Sequence, residues 1–185
     1  MEYTMSLLKL KIGNKVYLAK YESPKPTVTI GGRKYPIVQI GNLWWMAENL
    51  DLDDYGAVNS SNPNYGKLYP FSAISSIPIP SGWRIPTDAD GISLCGSNGT
   101  SAVKYRVSNW DNGTNITGFS AVPAGYNDNG TLYTDCNMIF TARKDGNILY
   151  FIKIDDSTQR NMARVYHGSV ASRYKMSIRL VKDAT

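Results

Sequence analysis

Pro80-Ser81-Gly82-Trp83-Arg84-Ile85-Pro86-Thr87-Asp88-Ala89-Asp90 is a rigid apolar corner that turns directly into a helix start. Pro80 and Pro86 fix φ and disfavour helix in the residue before each, so Trp83 and Ile85 are predicted to run extended against a core. Thr87 offers its hydroxyl to the free amides of a first helical turn. Asp90, three residues on, is placed to reach back as the acidic half of a capping box. The helix that begins at Thr87 must be short, because Gly91 and then Gly96-Ser97-Asn98-Gly99 interrupt it.

Before this corner, Leu8 to Ala19 alternates apolar and basic residues around Gly13-Asn14, the pattern of a β-hairpin with one apolar face. A two-stranded hairpin is marginal alone, so this one is expected to pack on something, a neighbouring chain included. Ser23-Pro24-Lys25-Pro26 is a stiff connector, and the chain divides there into an appendage, residues 1–26, and a main domain, residues 27–185. Thr27 to Ile30 and Tyr35 to Ile40 bracket a Gly31-Gly32 turn as a second hairpin. Trp44 and Trp45 then point to opposite faces of a strand.

Asp51, Asp53 and Asp54 open a polar loop, but the spacing lacks the glycine and distal Glu of a calcium loop, and no metal is assigned to it. Ser72-Ala73-Ile74 is predicted as a short helix or 3₁₀ turn. Beyond the corner, strands are expected over Val103 to Trp110, Ile116 to Ala121, Thr131 to Tyr133, Ile139 to Ala142, Ile148 to Ile154, Met162 to Tyr166 and Tyr174 to Val181. They are joined by Asp111-Asn112-Gly113, Lys144-Asp145-Gly146-Asn147, Asp155-Asp156-Ser157-Thr158 and His167-Gly168-Ser169. Four Asn-x-Thr triplets fit the glycosylation pattern, but three are Asn-Gly turns, and all are read as turns.

Composition bounds the function. With 42% hydrophobic and 19% charged residues, the chain is of ordinary globular type rather than disordered. Residues 1–34 hold seven Lys or Arg against two Glu, residues 35–142 four against nine acids, and residues 143–185 nine against four. The C-terminal charges stand singly among Tyr, Ile, Met and Ser, without a nucleic-acid reading motif, so no nucleic-acid partner is expected. Residues 1–21 carry Glu2, Lys9, Lys11, Lys15 and Lys20, which leaves no uninterrupted apolar segment of the signal-peptide kind. The uncharged run Leu68 to Trp83 holds three prolines, and no membrane insertion is expected. Cys95 and Cys136 are either buried thiols or one bridge, and they carry no zinc-type spacing.

Five ordered blocks carry a resemblance. They are Gly41-Asn42 with Trp45-Met46-Ala47-Glu48-Asn49-Leu50, Tyr65-Gly66-Lys67-Leu68-Tyr69, Pro80 to Ala89, Gly118-Phe119-Ser120-Ala121-Val122-Pro123-Ala124-Gly125-Tyr126, and Ser177-Ile178-Arg179-Leu180-Val181-Lys182-Asp183. Together, from about Thr27 to Asp183, they resemble the Fibrobacter succinogenes major paralogous domain, a family abundant in Bacteroidetes and similar to the C-type lectin fold. The resemblance implies an α+β, C-type lectin-like domain, mostly antiparallel β with two short helices and long loops. It also implies an interaction role more than a chemistry. Where the family usually has a Cys before the Pro-Ser-Gly-Trp corner and another in the last strand, this chain has Ile79 and Leu180. Their joint loss fits folding where disulfides do not form.

No enzyme is expected. Any Ser-His-Asp or Cys-His mechanism must pass through His167, the only histidine, which is expected in a turn with no nucleophile-elbow motif anywhere. The formylglycine-generating enzymes, which share a related fold, use a cysteine pair, but Cys95 and Cys136 lie in the wrong part of the chain. Asn109-Trp110-Asp111 matches the calcium-lectin motif only loosely. No cofactor or metal is assigned.

The preferred reading is a non-catalytic ligand- or receptor-binding module. Its expected contacts are Arg143, Asn147, Tyr150, Asn161, Tyr166, His167, Arg173 and Tyr174, aromatic and cationic groups over a rigid sheet. The resemblance, the missing cysteine pair and the added hairpin suggest a phage tail or cell-surface recognition protein, folded in a bacterial cytoplasm and delivered to a virion or cell surface. Its partner would be a bacterial surface protein or glycan, and the appendage would make it a homo-oligomer. Residues 143–174 would be the surface rewritten if the chain is the variable protein of a diversity-generating retroelement. The rival reading is a structural subunit of a surface or virion assembly.

Overall fold

In the computed structural model, which describes residues 6–12, 15–21, 24–156, 161–169 and 173–184, Thr87 is the N-cap of the helix α1 (Asp88–Cys95). Gly13-Asn14, Ser23, Ser157 and Thr158, named above as turn or connector residues, lie outside the described residues. The capping box is complete: the Asp90 amide donates to Thr87 Oγ1 at 3.2 Å, and the Thr87 amide donates to Asp90 Oδ2 at 2.6 Å. Arg84, from the extended corner, closes on the same carboxylate through both Nη atoms. Gly96, at φ 78°, ends the helix. Gly91 does not interrupt it. A Cβ there would lie 2.6 Å from Val165 Cγ2 and 3.0 Å from Ile152 Cγ1, so this glycine is where the helix meets the sheet.

Along the chain, β1 (Ser6–Ile12) and β2 (Lys15–Tyr21) pair as an antiparallel hairpin in a two-stranded sheet of their own. β3 (Thr27–Ile30) and β4 (Arg33–Ile40) are joined by the Gly31-Gly32 turn, and β5 (Leu43–Met46) follows. Short strands β6 (Val58–Asn59) and β7 (Lys67–Pro70) precede α1, and β8 (Thr100–Ser101) follows it. The remaining strands are β9 (Tyr126–Asp128), β10 (Thr131–Tyr133), β11 (Cys136–Asp145), β12 (Ile148–Asp155), β13 (Met162–Ser169), β14 (Tyr174–Met176) and β15 (Val181–Asp183). They form three further sheets, ordered β15-β5-β4-β3, β11-β12-β13-β8 and β10-β9-β14-β7-β6. All strand pairs are antiparallel, and single parallel bridges such as Ile139 with Ser177 tie one sheet to the next.

Alternation along β11 and β12 feeds two cores. Met138, Phe140, Leu149 and Phe151 join one, with Tyr35, Tyr69, Met176 and Leu180; Ile139, Ile152 and Ile154 join the other, with Trp45, Tyr105, Phe119 and Leu94 of α1. A strand pair buried on both faces accounts for the nearly continuous apolar run of β12. Trp83 packs half-buried on the first core, Ile85 lies within it, and Ile79 and Leu180 belong to that same core.

The secondary structure departs from the sequence expectations in four places. α1 is the only α-helix among the described residues, against the two short helices expected; Phe71–Ser75 takes the 3₁₀ form, one of the two expected there, without a side-chain cap and with Pro78 close behind. The architecture is therefore mainly antiparallel β with one short helix and long loops. Val103 to Trp110 and Ile116 to Ala121 are not strands: the first begins in a 3₁₀ helix (Ala102–Lys104), and the rest is turns and irregular chain with the single parallel bridge Arg106–Ala121. There Asp111, Asn112, Asn115, Gly118 and Ser120 all take positive φ, and Arg106 points inward, fully buried. His167 stands in β13 rather than in a turn, opposite Tyr150. Tyr174 to Val181 splits into β14 and β15 around the buried run Ser177 to Leu180.

That buried run carries Arg179, whose guanidinium has no exposed surface and, among the described residues, only neutral acceptors. Nε donates to Asn49 Oδ1 at 2.7 Å, Nη1 to the carbonyls of Met46 at 3.2 Å and of Phe119, and Nη2 to the Ser120 carbonyl at 3.1 Å. The group also lies 4.4 Å above the Phe119 ring. Burial pulls its pKa down to about 9 while Glu48 resists, so it stays charged at neutral pH. Ser120 offers its carbonyl only because its φ is 56°, a conformation held by Asn115, whose Oδ1 accepts the Ser120 amide at 2.8 Å.

Two outcomes test this arrangement. Arg179→Met strands Asn49 and three carbonyls in the interior, and Arg179→Lys keeps the charge without the fork. Each should lose about 3–5 kcal/mol in urea unfolding, and a Met variant of native stability would refute the role given to Arg179. At Asp90, burial pushes the carboxyl up, but the hydrogen bonds from Arg84 and Thr87 outweigh it and hold the pKa below the usual value. The resulting stability is present above the unfolded carboxyl pKa, near 4, and is lost as pH falls through the folded value. Asp90→Asn should lower stability at neutral pH and flatten the acid limb of the stability–pH curve.

Candidate functional site

The side chains singled out from sequence divide between two exposed surfaces and the interior. The first surface lies where β11, β12 and β13 reach their common end. The β11–β12 register slips between Phe140 and Lys144, so Thr141, Ala142 and Arg143 face Tyr150 alone. Such a bulge re-aims side chains. Here it lays the Arg143 guanidinium 4.1 Å over the Tyr150 ring. His167, directly across from Tyr150, tilts its ring at 5.7 Å, and Asn147 sits exposed in the adjoining turn.

The first surface is anchored to α1. Arg143 Nη1 donates to Asp88 Oδ2 at 3.2 Å, and Nη2 donates to Asp145 Oδ2 at 2.6 Å. Hydrogen bonding to Asp145 raises the Arg143 pKa, and the same bond lowers that of Asp145. The Thr141 hydroxyl lies within hydrogen-bond reach of Asp88 Oδ1 at 2.7 Å and of the Tyr150 carbonyl at 3.0 Å. A shallow cavity of about 330 Å³ opens between the helix start and Arg143, lined by Thr87, Asp88, Ala89 and Ala142.

The second surface is built on β9, β10 and β14. Arg173 binds Asp128 through Nε at 2.5 Å and Nη2 at 2.7 Å, and its guanidinium stands 5.5 Å from the Tyr174 ring centre. Tyr174 meets Tyr126 edge to face at 5.9 Å, and Tyr126 stacks on Tyr133 at 4.9 Å and 10°. Sequence reasoning missed Tyr126, Asp128 and Tyr133. The signal was present: a two-residue Asn129-Gly130 turn pairs Asp128 with Thr131 and Tyr126 with Tyr133.

Two predicted contacts serve the interior instead. Tyr166 faces the opposite side of the sheet from Tyr150 and stacks on Phe151 at 6.1 Å. Asn161 Oδ1 accepts from Nη2 of the buried Arg106 at 3.1 Å, which also holds Asp111 and the Asp155 carbonyl. The acidic loop is ion-paired within the chain, Asp51 to Arg33 and Asp53 to Lys67. Among the described residues no group of three or more His, Cys, Asp or Glu is placed to hold a metal ion. A cavity of about 190 Å³ beside Arg179 is smaller than the roughly 300 Å³ of an ordinary ligand pocket.

The blocks that carry the resemblance meet inside the molecule. Asn49, Phe119, Ser120 and Arg179 form one buried network, and Asn49 Nδ2 donates to the Tyr65 carbonyl at 3.0 Å. Arg84 of the corner exchanges both backbone hydrogen bonds with Val181. Residues 38–182 match the model of the Fibrobacter succinogenes major domain. The chain belongs to this family. No curated protein and no solved structure matches it. The match spans all of the blocks except Asp183, and both exposed surfaces lie within it.

Cys95 and Cys136 are free and buried, which decides between a bridge and two thiols. Burial pushes each pKa up to about 12, so neither carries a thiolate at neutral pH. A thiol reagent at pH 8 should label neither cysteine in the native protein and both in denaturant. Fast labelling of either in the native state would contradict the packing described.

Proposed function

We propose that this family member is a non-catalytic binding module of C-type lectin-like arrangement, recognising a bacterial surface protein or glycan from a virion or cell surface. The observation that carries the reading is the Arg143, Tyr150 and His167 cluster. An exposed cation and imidazole stand with a half-buried phenol ring on adjoining strands, held by a bulge and by Asp88 at the helix start, while Asn49, Phe119 and Arg179 of the family's blocks lie inside. Preorganised aromatic and arginine groups are the kind that dominate binding energy. The lectin-like part is supported by β15 returning to pair with β5, which ties the end of the domain into the sheet that its first three strands form. Residues 1–26 act in this reading as an oligomerising appendage. Residues 143–174 are the stretch in which a diversity-generating retroelement would place its changes.

The test is binding of fluorescently labelled full-length protein to a panel of gut Bacteroidetes cells. The double variant Arg143→Ala, Tyr150→Ala should bind at least about tenfold more weakly at unchanged melting temperature. If the unmodified protein binds no cells, or the double variant binds as well as it does, the reading fails. A structural subunit of an assembly then becomes the better account.

A further inference from the structure

Tyr133 is nearly half exposed, at 46%, although it is stacked on Tyr126. One ring face is therefore covered and the other open to solvent. Beside it, along the same face of the sheet, stand Thr131, Asp128 and Tyr174, since partners across antiparallel strands point the same way. Tyr126 is half-buried, and burial pushes its phenol up to about 12, so the ring beneath Tyr133 is a neutral, fixed support. Asp128 and Arg173 neutralise each other by a two-point ion pair. Lys175, on the opposite face, is tied to the Gly56 carbonyl at 2.9 Å.

We infer that the open face of Tyr133, with the Asp128 and Arg173 pair beside it, is a docking platform for a neutral polysaccharide. This inference deepens the binding-module reading and rests on it. A pyranose ring has a flat face of polarised C–H groups, which lies well on the electron-rich face of an aromatic ring. Its hydroxyls need both donors and acceptors at the ring's edge; the exposed Arg173 guanidinium supplies donors, and the exposed Thr131 hydroxyl supplies both kinds. Charge decides between neutral and ionic polymers. The platform's one cation and one anion are already paired, so an acidic or basic chain would meet no free countercharge. Geometry disfavours a peptide strand, because β10 is an edge of only three residues and very short edges resist strand addition.

Affinity electrophoresis of the full-length protein through gels containing amylopectin, hydroxyethylcellulose, galactomannan or arabinoxylan tests the platform. At least one neutral polymer should retard the protein. Tyr133→Ala should weaken that retardation at least about tenfold, whereas Lys34→Ala, exposed on β4 in another sheet, should leave it unchanged. Tyr133→Phe, which keeps the ring face, should be retarded like the unmodified protein. If none of the four polymers retards the protein, or Tyr133→Ala is retarded equally, the inference is overturned. It is also overturned if Tyr133→Ala weakens cell binding in a way that protease treatment of the cells reproduces and periodate treatment does not; the platform then takes a protein. Cell binding by the unmodified protein without retardation by any polymer leaves the binding-module reading standing and removes the platform alone.

Discussion

A buried guanidinium without a carboxylate partner holds this domain together. Arg179 reaches the Asn49 side chain and the carbonyls of Met46, Phe119 and Ser120, which come from segments far apart along the chain. A buried charge is costly unless its hydrogen bonds are met, and a guanidinium offers five donors in fixed directions. The strand end at Met46, the Asn49 turn and the left-handed Ser120 must all be in place before this cost is offset. Few competing packings meet that requirement, so the group selects one arrangement of long loops that hydrophobic burial alone would leave loosely determined. Arg106 does the same for the second loop system, with Asp111, Asn161 and the Asp155 carbonyl as its acceptors.

The second constraint is the strand pair β11 and β12, buried on both faces between two cores. The helix rests on one face, close enough that Gly91 has no room for a side chain. The cap at Thr87 and Asp90 fixes where the helix starts, and so places Asp88 under Arg143. A local sequence signal in the corner thereby sets the position of an exposed cation more than fifty residues later.

Sequence reading reached what local chemistry determines. The Pro-bounded corner, the capping box, the Gly31-Gly32 and Asn129-Gly130 turns and the opposed tryptophans all depend on residues close along the chain. It failed where a side chain's destination is set by the tertiary structure. Arg106 and Arg179 stand among apolar residues just as outward-facing strand charges do, and nothing local distinguishes a buried fork from a solvated one. Asn115 and Ser120 have the composition of a solvated loop, yet they hold a strained carbonyl against Arg179. Within the candidate site, Tyr150 and His167 are a regular cross-strand pair, and Arg143 joins them only because a bulge shifts the β11–β12 register, which alternation cannot reveal.

The exposed groups are also unusual in being held on strands. Tyr150 and His167 oppose each other in a ladder, and Tyr126 and Tyr133 oppose each other in another, so each pair's spacing is a property of strand geometry rather than of loop conformation. A partner that docks there orders little additional backbone, and the entropy cost of association falls on a few side chains. The same geometry limits how such a surface can change. Substitution at position 150, 167 or 133 alters what the partner meets while leaving the ladder hydrogen bonds and the Arg179 network untouched. Insertion or deletion in these strands would instead reverse the faces of the residues beyond it and put Phe151 and Ile152 into each other's cores. If this surface serves the proposed binding role, it is open to exchange of side chains at fixed positions and closed to changes in length.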